Sequence, residues 1–77
     1  KITVPSGCSY PKVPVVNNTP VTIDFVISYP NNYMINFYVP SGATAYVRGP
    51  SSSIVFGYAG FGSAYCSGIL NSGFTCS

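Results

Sequence analysis

The chain has 77 residues, and only four of its side chains are charged: Lys1, Lys12, Asp24 and Arg48. The net charge of +2 is too small to steer binding to nucleic acid or to an anionic membrane surface. Histidine and glutamate are absent and aspartate occurs once, so the groups on which general acid–base catalysis mainly draws are missing. We therefore expect a protein that is not an enzyme and that has no catalytic residue, metal site or cofactor.

The composition favours strands over helices. Val, Ile and Thr outnumber the good helix formers Ala, Leu, Met, Lys and Arg, and both glutamate and glutamine are absent. Charged residues make up 5% of the chain, whereas an ordinary soluble domain has about 25%. The surface must therefore consist of Ser, Thr, Asn, Gly and Tyr. Either these groups, with or without sugar, keep the chain in solution, or other protein chains cover much of the surface.

Residues 1–16 are predicted to form a proline-rich N-terminal arm or a pair of edge strands. The segments "KITVP" and "KVPVV" have the composition of strands, but Pro5, Pro11 and Pro14 interrupt them. Proline has no N–H to donate to a sheet ladder, so such segments lie at sheet edges or outside sheets. We expect this arm to be extended and available to complete the sheet of a neighbouring chain.

Residues 17–19, with the sequence Asn-Asn-Thr, match the N-glycosylation motif, in which Asn17 would be the acceptor. Together with Pro20, the same residues also have the composition of a simple turn. The two interpretations are compatible, because a glycosylated asparagine lies in a surface loop. The sequence thus predicts an exposed turn here, with Asn17 as a candidate glycosylation site.

Residues 21–59 are predicted to form four consecutive strands. Segments that alternate between apolar and polar residues are separated by turn residues, which include Pro20, Pro30, Pro40 and Pro50. The loops are two to four residues long, a length that favours antiparallel hairpins between neighbouring strands. We therefore expect a four-stranded meander. No apolar run approaches the roughly 20 residues of a spanning helix, so we expect no membrane span.

Alternation assigns one side of each strand to the core, because successive side chains of a strand point to opposite faces. The segment from residue 54 to residue 59 is apolar on both sides, which is typical of a central or covered strand. The predicted core residues are Val21, Ile23, Phe25, Ile27, Ile35, Phe37, Val39, Val47, Ile54 and Phe56.

The last segment, residues 63–77, is predicted to form a C-terminal hairpin that carries Cys66 and Cys76. Opposed cysteines on antiparallel strands are close enough to form an internal disulfide. The alternative is a long-range bond from Cys8 to one of them. Zinc needs four ligands, which three cysteines without histidine cannot supply. The cysteines instead indicate disulfides, and hence an oxidising, extracellular or cell-surface location for a secreted chain.

One cysteine is left over, whichever pair forms. If Cys66 bonds to Cys76, the remaining cysteine is Cys8, which lies on the proline-rich arm. It is then either a free thiol that behaves as a small apolar residue or the site of an inter-chain disulfide. We favour the inter-chain bond, because an odd cysteine in a secreted protein points to pairing between chains.

Four tyrosines are candidate interface residues. Tyr38 and Tyr46 lie on the outward sides of predicted strands, and Tyr10 and Tyr65 lie near turns or edges. Tyrosine is enriched at interfaces because it combines a broad apolar ring with a polar tip, although it is also a common strand residue. These side chains can pack against another subunit or stack on sugar rings.

Together these features predict a single domain over residues 1–77: a small antiparallel β-sandwich, Ig-like or jelly-roll-like, built around the meander. We expect an extracellular structural subunit that assembles with itself into a filament, coat or surface layer. Strand addition and an inter-chain disulfide at Cys8 would hold the copies together. The alternative is a small secreted binding protein: a toxin subunit with a second protein chain as its partner, an inhibitor, or a carbohydrate-binding module.

Overall fold

Two four-stranded sheets make up the computed structural model, which describes residues 2–4, 10–60 and 64–77. No helix occurs among these residues, and the prediction of an all-β fold is confirmed. The strands are β1 Ile2–Val4, β2 Lys12–Asn17, β3 Ile23–Ser28, β4 Met34–Val39, β5 Thr44–Arg48, β6 Ile54–Tyr58, β7 Ala64–Ile69 and β8 Phe74–Cys76. The first sheet has the order β1-β5-β2-β8 and the second has the order β4-β3-β6-β7. Both sheets contribute to one core, which confirms the predicted β-sandwich.

The chain crosses repeatedly between the two sheets. The consecutive strands that pair with each other are β3 with β4 and β6 with β7. When β2 to β7 are lettered B, C, C′, E, F and G, their order is that of an immunoglobulin-type sandwich, with C′-C-F-G in one sheet and B next to E in the other. The first sheet is extended at its two sides by β1, parallel to β5, and by β8, parallel to β2.

The predicted meander over residues 21–59 is wrong beyond its first hairpin. Strands β3 and β4 pair as predicted, around a turn in which Asn32 has a φ of 68°. However, β5 pairs with β2, and β6 pairs with β3. The reason is burial, because each strand has an apolar side and two packed layers can cover those sides where a single sheet cannot. Loop length does not distinguish a hairpin from a crossing between sheets.

The core lies between the sheets and includes most of the predicted residues. Phe25 is fully buried at its centre, and its ring centroid lies 6.0 Å from that of the partly buried Phe37 and 6.3 Å from that of Phe74. The buried apolar residues are Val13, Val15, Ile23, Phe25, Ile27, Tyr29, Val39, Ala45, Val47, Val55, Leu70 and Cys76.

Three core assignments are wrong. Val21 lies before β3 and is 43% exposed. In β6, Ile54 and Phe56 point outward, while Val55 points into the core. Since this strand is apolar on both sides, alternation could not choose between them. The side with the smaller residues faces inward, because Phe25 already fills the space that a second large side chain would need.

The N-terminal segment is not an extended arm where the structure describes it. Residues 2–4 form β1 beside β5, and β2 lies inside the first sheet between β5 and β8. Residues 5–9, which include Cys8, lie outside the described part of the chain. The prediction that this proline-rich segment would supply only edge strands therefore holds for β1 and fails for β2.

Pro14 fits into the inner strand β2 because of the direction in which its nitrogen points. The N–H of Asn17 donates to the carbonyl of Ala43, just before β5, and the N–H of Asn18 donates to the carbonyl of Cys76 in β8. Even-numbered residues of β2 therefore point toward β8. Because β8 pairs with β2 only from Val15 onward, no ladder bond is lost at Pro14.

The predicted C-terminal hairpin over residues 63–77 is also wrong. Strand β7 pairs with β6 in the second sheet, and β8 pairs with β2 in the first. The turn between them, with Asn71 and Gly73 at positive φ, carries the chain from one sheet to the other. Leu70 before the turn is fully buried and Phe74 after it packs against the core, so the crossing lets both side chains reach the space between the sheets.

Candidate functional site

A buried asparagine fastens the end of the first sheet to the second. Asn17, the last residue of β2, has no exposed surface. Its Nδ2 donates to the carbonyl oxygens of Val21 at 2.8 Å and Val39 at 2.7 Å. Its Oδ1 accepts from the backbone N–H of Thr19 at 3.0 Å and from the hydroxyl of the same residue at 2.5 Å. Every donor and acceptor of the amide is thus used within the fold.

The predicted exposure of Asn17 is therefore wrong, although Asn18 and Pro20 of the same segment are exposed as predicted. A glycan on Nδ2 would remove at least one of the two bonds that this nitrogen donates, and it would have no route from a side chain without exposed surface. Thr19 of the same motif is only 4% exposed. In the folded chain these residues form a structural corner, and the glycosylation motif is not accessible.

A disulfide closes one side of the sandwich. It joins Cys66 of β7 to Cys76 of β8, with their Cα atoms 5.8 Å apart. These strands are edges of different sheets, so the bond links the sheets and does not lie across a hairpin. Gly57 of β6 makes room for it, because a Cβ at this position would lie 2.5 Å from Sγ of Cys66. Of the pairings left open by the sequence, this one leaves Cys8 as the odd cysteine.

The outer face of the second sheet is largely apolar, although it points away from the core. We use this name for the outward side chains of β4, β3, β6 and β7. Met34 is 63% exposed, Tyr38 65% and Ile69 55%. The apolar and aromatic members are Met34, Tyr38, Val26, Ile54, Phe56, Tyr58 and Ile69, and the polar members are Asn36, Ser28, Ser67 and Asp24.

One carboxylate lies within this face. Asp24 is in register with Tyr38 on one side and with Tyr58 on the other. Its Oδ1 accepts a long hydrogen bond of 3.4 Å from Nδ2 of Asn36. Asp24 is also the only acidic side chain in the chain, so the outer face of the second sheet carries a single negative charge and no cation.

The outer face of the first sheet has the opposite charge. We use this name for the outward side chains of β5, β2 and β8. Lys12 and Arg48 are register partners on it, and Nη1 of Arg48 also donates to the carbonyl oxygen of Tyr10 at 2.7 Å. The remaining members are uncharged: Pro14, Val16, Thr44, Tyr46 and Thr75.

The outer edge of β4 has none of the usual features that prevent pairing with another strand. The pairing of β4 with β3 is continuous over six residues, without a bulge, and the strand contains no proline and no charge. The N–H of Tyr29 donates to the carbonyl oxygen of Tyr33 across the turn, so odd-numbered residues of β4 bond to β3, and the N–H and C=O groups of Met34, Asn36 and Tyr38 point away from it. No residue of the described ranges pairs with these groups.

The four predicted interface tyrosines do not form one cluster. Tyr38 lies on the outer face of the second sheet and Tyr46 on that of the first. Tyr10 precedes β2, and Tyr65 lies at the irregularity between β6 and β7. Sequence reasoning did not assign to an interface the apolar residues that share a face with Tyr38, chiefly Met34, Ile54 and Ile69. A signal was present for Ile54, because its segment is apolar at odd and even positions alike.

No protein-family model, curated protein or solved structure matches the chain. Within the described residues there is no helix of the length and hydropathy needed to cross a bilayer. The same residues bring together no three His, Cys, Asp or Glu side chains that a metal ion could use. The features of the described residues that bear on function are the two outer faces, the edge of β4 and the disulfide between Cys66 and Cys76.

Proposed function

We propose that the protein is an extracellular structural subunit that assembles with itself into a filament, coat or surface layer. The observation that carries the proposal is the open edge of β4. Natural sheets block exposed edges with lysine, proline, bulges or very short strands, because an unblocked edge is a template for another chain. This edge has six residues and none of those features, which supports strand addition as the mode of assembly.

The composition of the strand makes an uncovered edge of β4 prone to aggregation in an isolated chain. The segment "MINFYV" is a six-residue run of high β-propensity, without charge or proline, which is the signature of an aggregating strand. Burial of this edge in an ordered assembly removes the hazard. A neighbouring copy supplies the added strand in our proposal.

The cysteines fit the same function. Because Cys66 and Cys76 bond to each other, Cys8 remains for a disulfide between copies. Disulfides form and persist mainly outside the cytosol, which supports secretion and an extracellular or cell-surface location. The inter-chain bond would make covalent an assembly that the strands hold together by hydrogen bonds.

Substitution of Asn36 by proline tests strand addition. The N–H of Asn36 points to the open edge, so Asn36→Pro removes a donor for the added strand without removing a bond to β3. In a chain that also carries Cys8→Ala, so that no inter-chain disulfide holds the copies, we expect the assembled fraction in sedimentation velocity to fall by about tenfold, the effect of roughly one lost hydrogen bond per contact.

Asn36→Ala is the matched control for this experiment. It removes the same side chain but keeps the N–H, and we expect it to assemble like the unchanged chain. Equal assembly of both variants would contradict strand addition at β4. Thermal unfolding of each variant shows whether the sandwich itself is intact.

A carbohydrate-binding module is the second candidate. The observation that favours it is the row formed by Tyr38, Asp24 and Tyr58, which places one carboxylate between two tyrosines on an exposed sheet face. Tyrosine rings can stack on sugars while a carboxylate accepts hydrogen bonds from hydroxyl groups. A monomeric chain that binds a glycan in calorimetry, with binding lost in Tyr38→Ala, would favour this candidate over assembly.

A further inference from the structure

We propose that the outer face of the second sheet is covered by the outer face of the first sheet of another copy of this chain. The inference rests on the proposed self-assembly and deepens it, because it names a second contact besides the edge of β4. It assigns the contact to two different surfaces of the molecule, so that each copy has one surface of each kind.

The outer face of the second sheet exposes large apolar side chains. Met34 and Ile69 lie at opposite ends of one cross-strand row and are both more than half exposed. Ser28 and Ile54 lie between them, and Ile54 is 41% exposed. Large exposed apolar side chains gathered on one face, with few polar residues between them, mark interaction surfaces.

The carboxylate of Asp24 within that face determines what can cover it. Two copies that met through this same face would bury two Asp24 carboxylates, and the face offers no cation to either of them. Burial of an unpaired charge is strongly unfavourable. Pairing of identical faces is therefore disfavoured, however well their apolar residues fit.

The opposite side of the molecule provides the missing cations. Lys12 and Arg48 are adjacent in register on the outer face of the first sheet. Like charges directly opposite each other destabilise a strand pair, and a carboxylate from a neighbour would offset their repulsion. The rest of this face is uncharged and includes Val16 and Tyr46, which suit contact with an apolar partner.

The positions of the charges limit how two copies can meet. The hydroxyl of Tyr29 donates to the carbonyl oxygen of Arg48, so the cations lie near the C-terminal end of β3, whereas Asp24 lies near its N-terminal end. For Asp24 of one copy to reach the cations of the next, the two copies must be offset along the strand direction or rotated by half a turn about the axis that joins them. Since the contact joins two different surfaces, it is head-to-tail and can continue through many copies.

Two variants with reversed charge test this contact. Asp24→Lys makes both outer faces positive. Lys12→Glu combined with Arg48→Gln makes both negative, and the glutamine keeps a polar side chain at position 48. In a chain that also carries Cys8→Ala, so that no inter-chain disulfide holds the copies, we expect each variant alone to lose assembly about tenfold or more in sedimentation velocity, because like charges then meet at every contact.

An equimolar mixture of the two variants is the decisive sample. Every contact between unlike copies pairs opposite charges, so we expect the mixture to recover assembly as an alternating polymer. Loss of assembly in Asp24→Lys alone, with the other variant unaffected, would instead indicate pairing of identical faces. Failure of the mixture to assemble, with both variants folded by thermal unfolding, would overturn the proposal.

Two further samples separate the outcomes. If a reversed variant does not fold, the near-isosteric Asp24→Asn replaces it, and we expect it to weaken assembly and to reduce its dependence on salt. Assembly of Asp24→Asn with unchanged salt dependence would contradict the contact. If the unchanged chain is monomeric, the proposed function itself fails. If it assembles and all variants assemble equally, only this contact fails.

Discussion

For Asn17, the sequence motif and the structure lead to opposite conclusions about exposure. In the sequence it is the acceptor of a glycosylation motif, which implies an exposed loop. In the structure it is fully buried, and its side chain bonds to three other residues. The motif depends on three neighbouring residues, whereas burial depends on the carbonyl groups of Val21 and Val39, whose positions no local pattern could reveal.

Substitution of Asn17 tests this role directly. Asn17→Ala leaves the carbonyl of Val39 and the N–H of Thr19 without their partner and removes one of the two bonds to the carbonyl of Val21, which also accepts from the hydroxyl of Thr19. We therefore expect a loss of about 2–4 kcal/mol in the free energy of unfolding. Asn18→Ala, a change of the same type at the exposed neighbouring position, should cost less than about 0.5 kcal/mol. Urea denaturation measures both, and equal losses would contradict the structural role of Asn17.

Strands were predictable from the sequence where one side alone is apolar. Residues of β3 such as Ile23 and Phe25 alternate with polar neighbours, and both the strand and its inward side were correct. In β6 the alternation fails because Ile54, Val55 and Phe56 are all apolar. Which side faces the core then depends on the space that neighbouring core side chains such as Phe25 leave.

Strand pairing was less predictable than the strands themselves. A short loop after β4 or β7 permits a hairpin and a crossing equally well, and the choice depends on which partner buries more apolar surface. The disulfide illustrates this point. Cys66 and Cys76 do bond to each other, but across two sheets and not within the hairpin that was expected.

The disulfide between β7 and β8 is expected to stabilise the fold. Cys66→Ala combined with Cys76→Ala should lower the free energy of unfolding by about 2–3 kcal/mol, the effect of releasing a short closed loop in the unfolded chain. Reduction of the unchanged chain should lower it by a similar amount. Urea denaturation under both conditions provides the comparison.

Cys8→Ala is the control for the disulfide. It leaves the internal bond intact, so we expect the stability of the isolated chain to stay within about 0.5 kcal/mol while disulfide-linked dimers disappear from non-reducing gels. A loss at Cys8 as large as that of the double variant would contradict the assignment of Cys66 and Cys76 to the internal bond.

At the scale of the whole molecule, size and composition favour an assembly. A chain of 77 residues buries only about 60% of the surface of its unfolded state, and chains of this size commonly need a staple or a partner. This chain has the staple in its disulfide. The charge-poor outer faces and the open edge of β4 are the surfaces on which partners would add further stability.

The native mass of the protein, measured by light scattering with and without reductant, tests self-assembly most directly. We predict a large assembly that yields chains of 8.1 kDa only when it is both denatured and reduced, because strand addition and the Cys8 disulfide hold it independently. A monomer with one free thiol at every concentration would contradict the account. A discrete disulfide-linked pair with a different chain would also contradict it, and would favour a toxin subunit or an inhibitor.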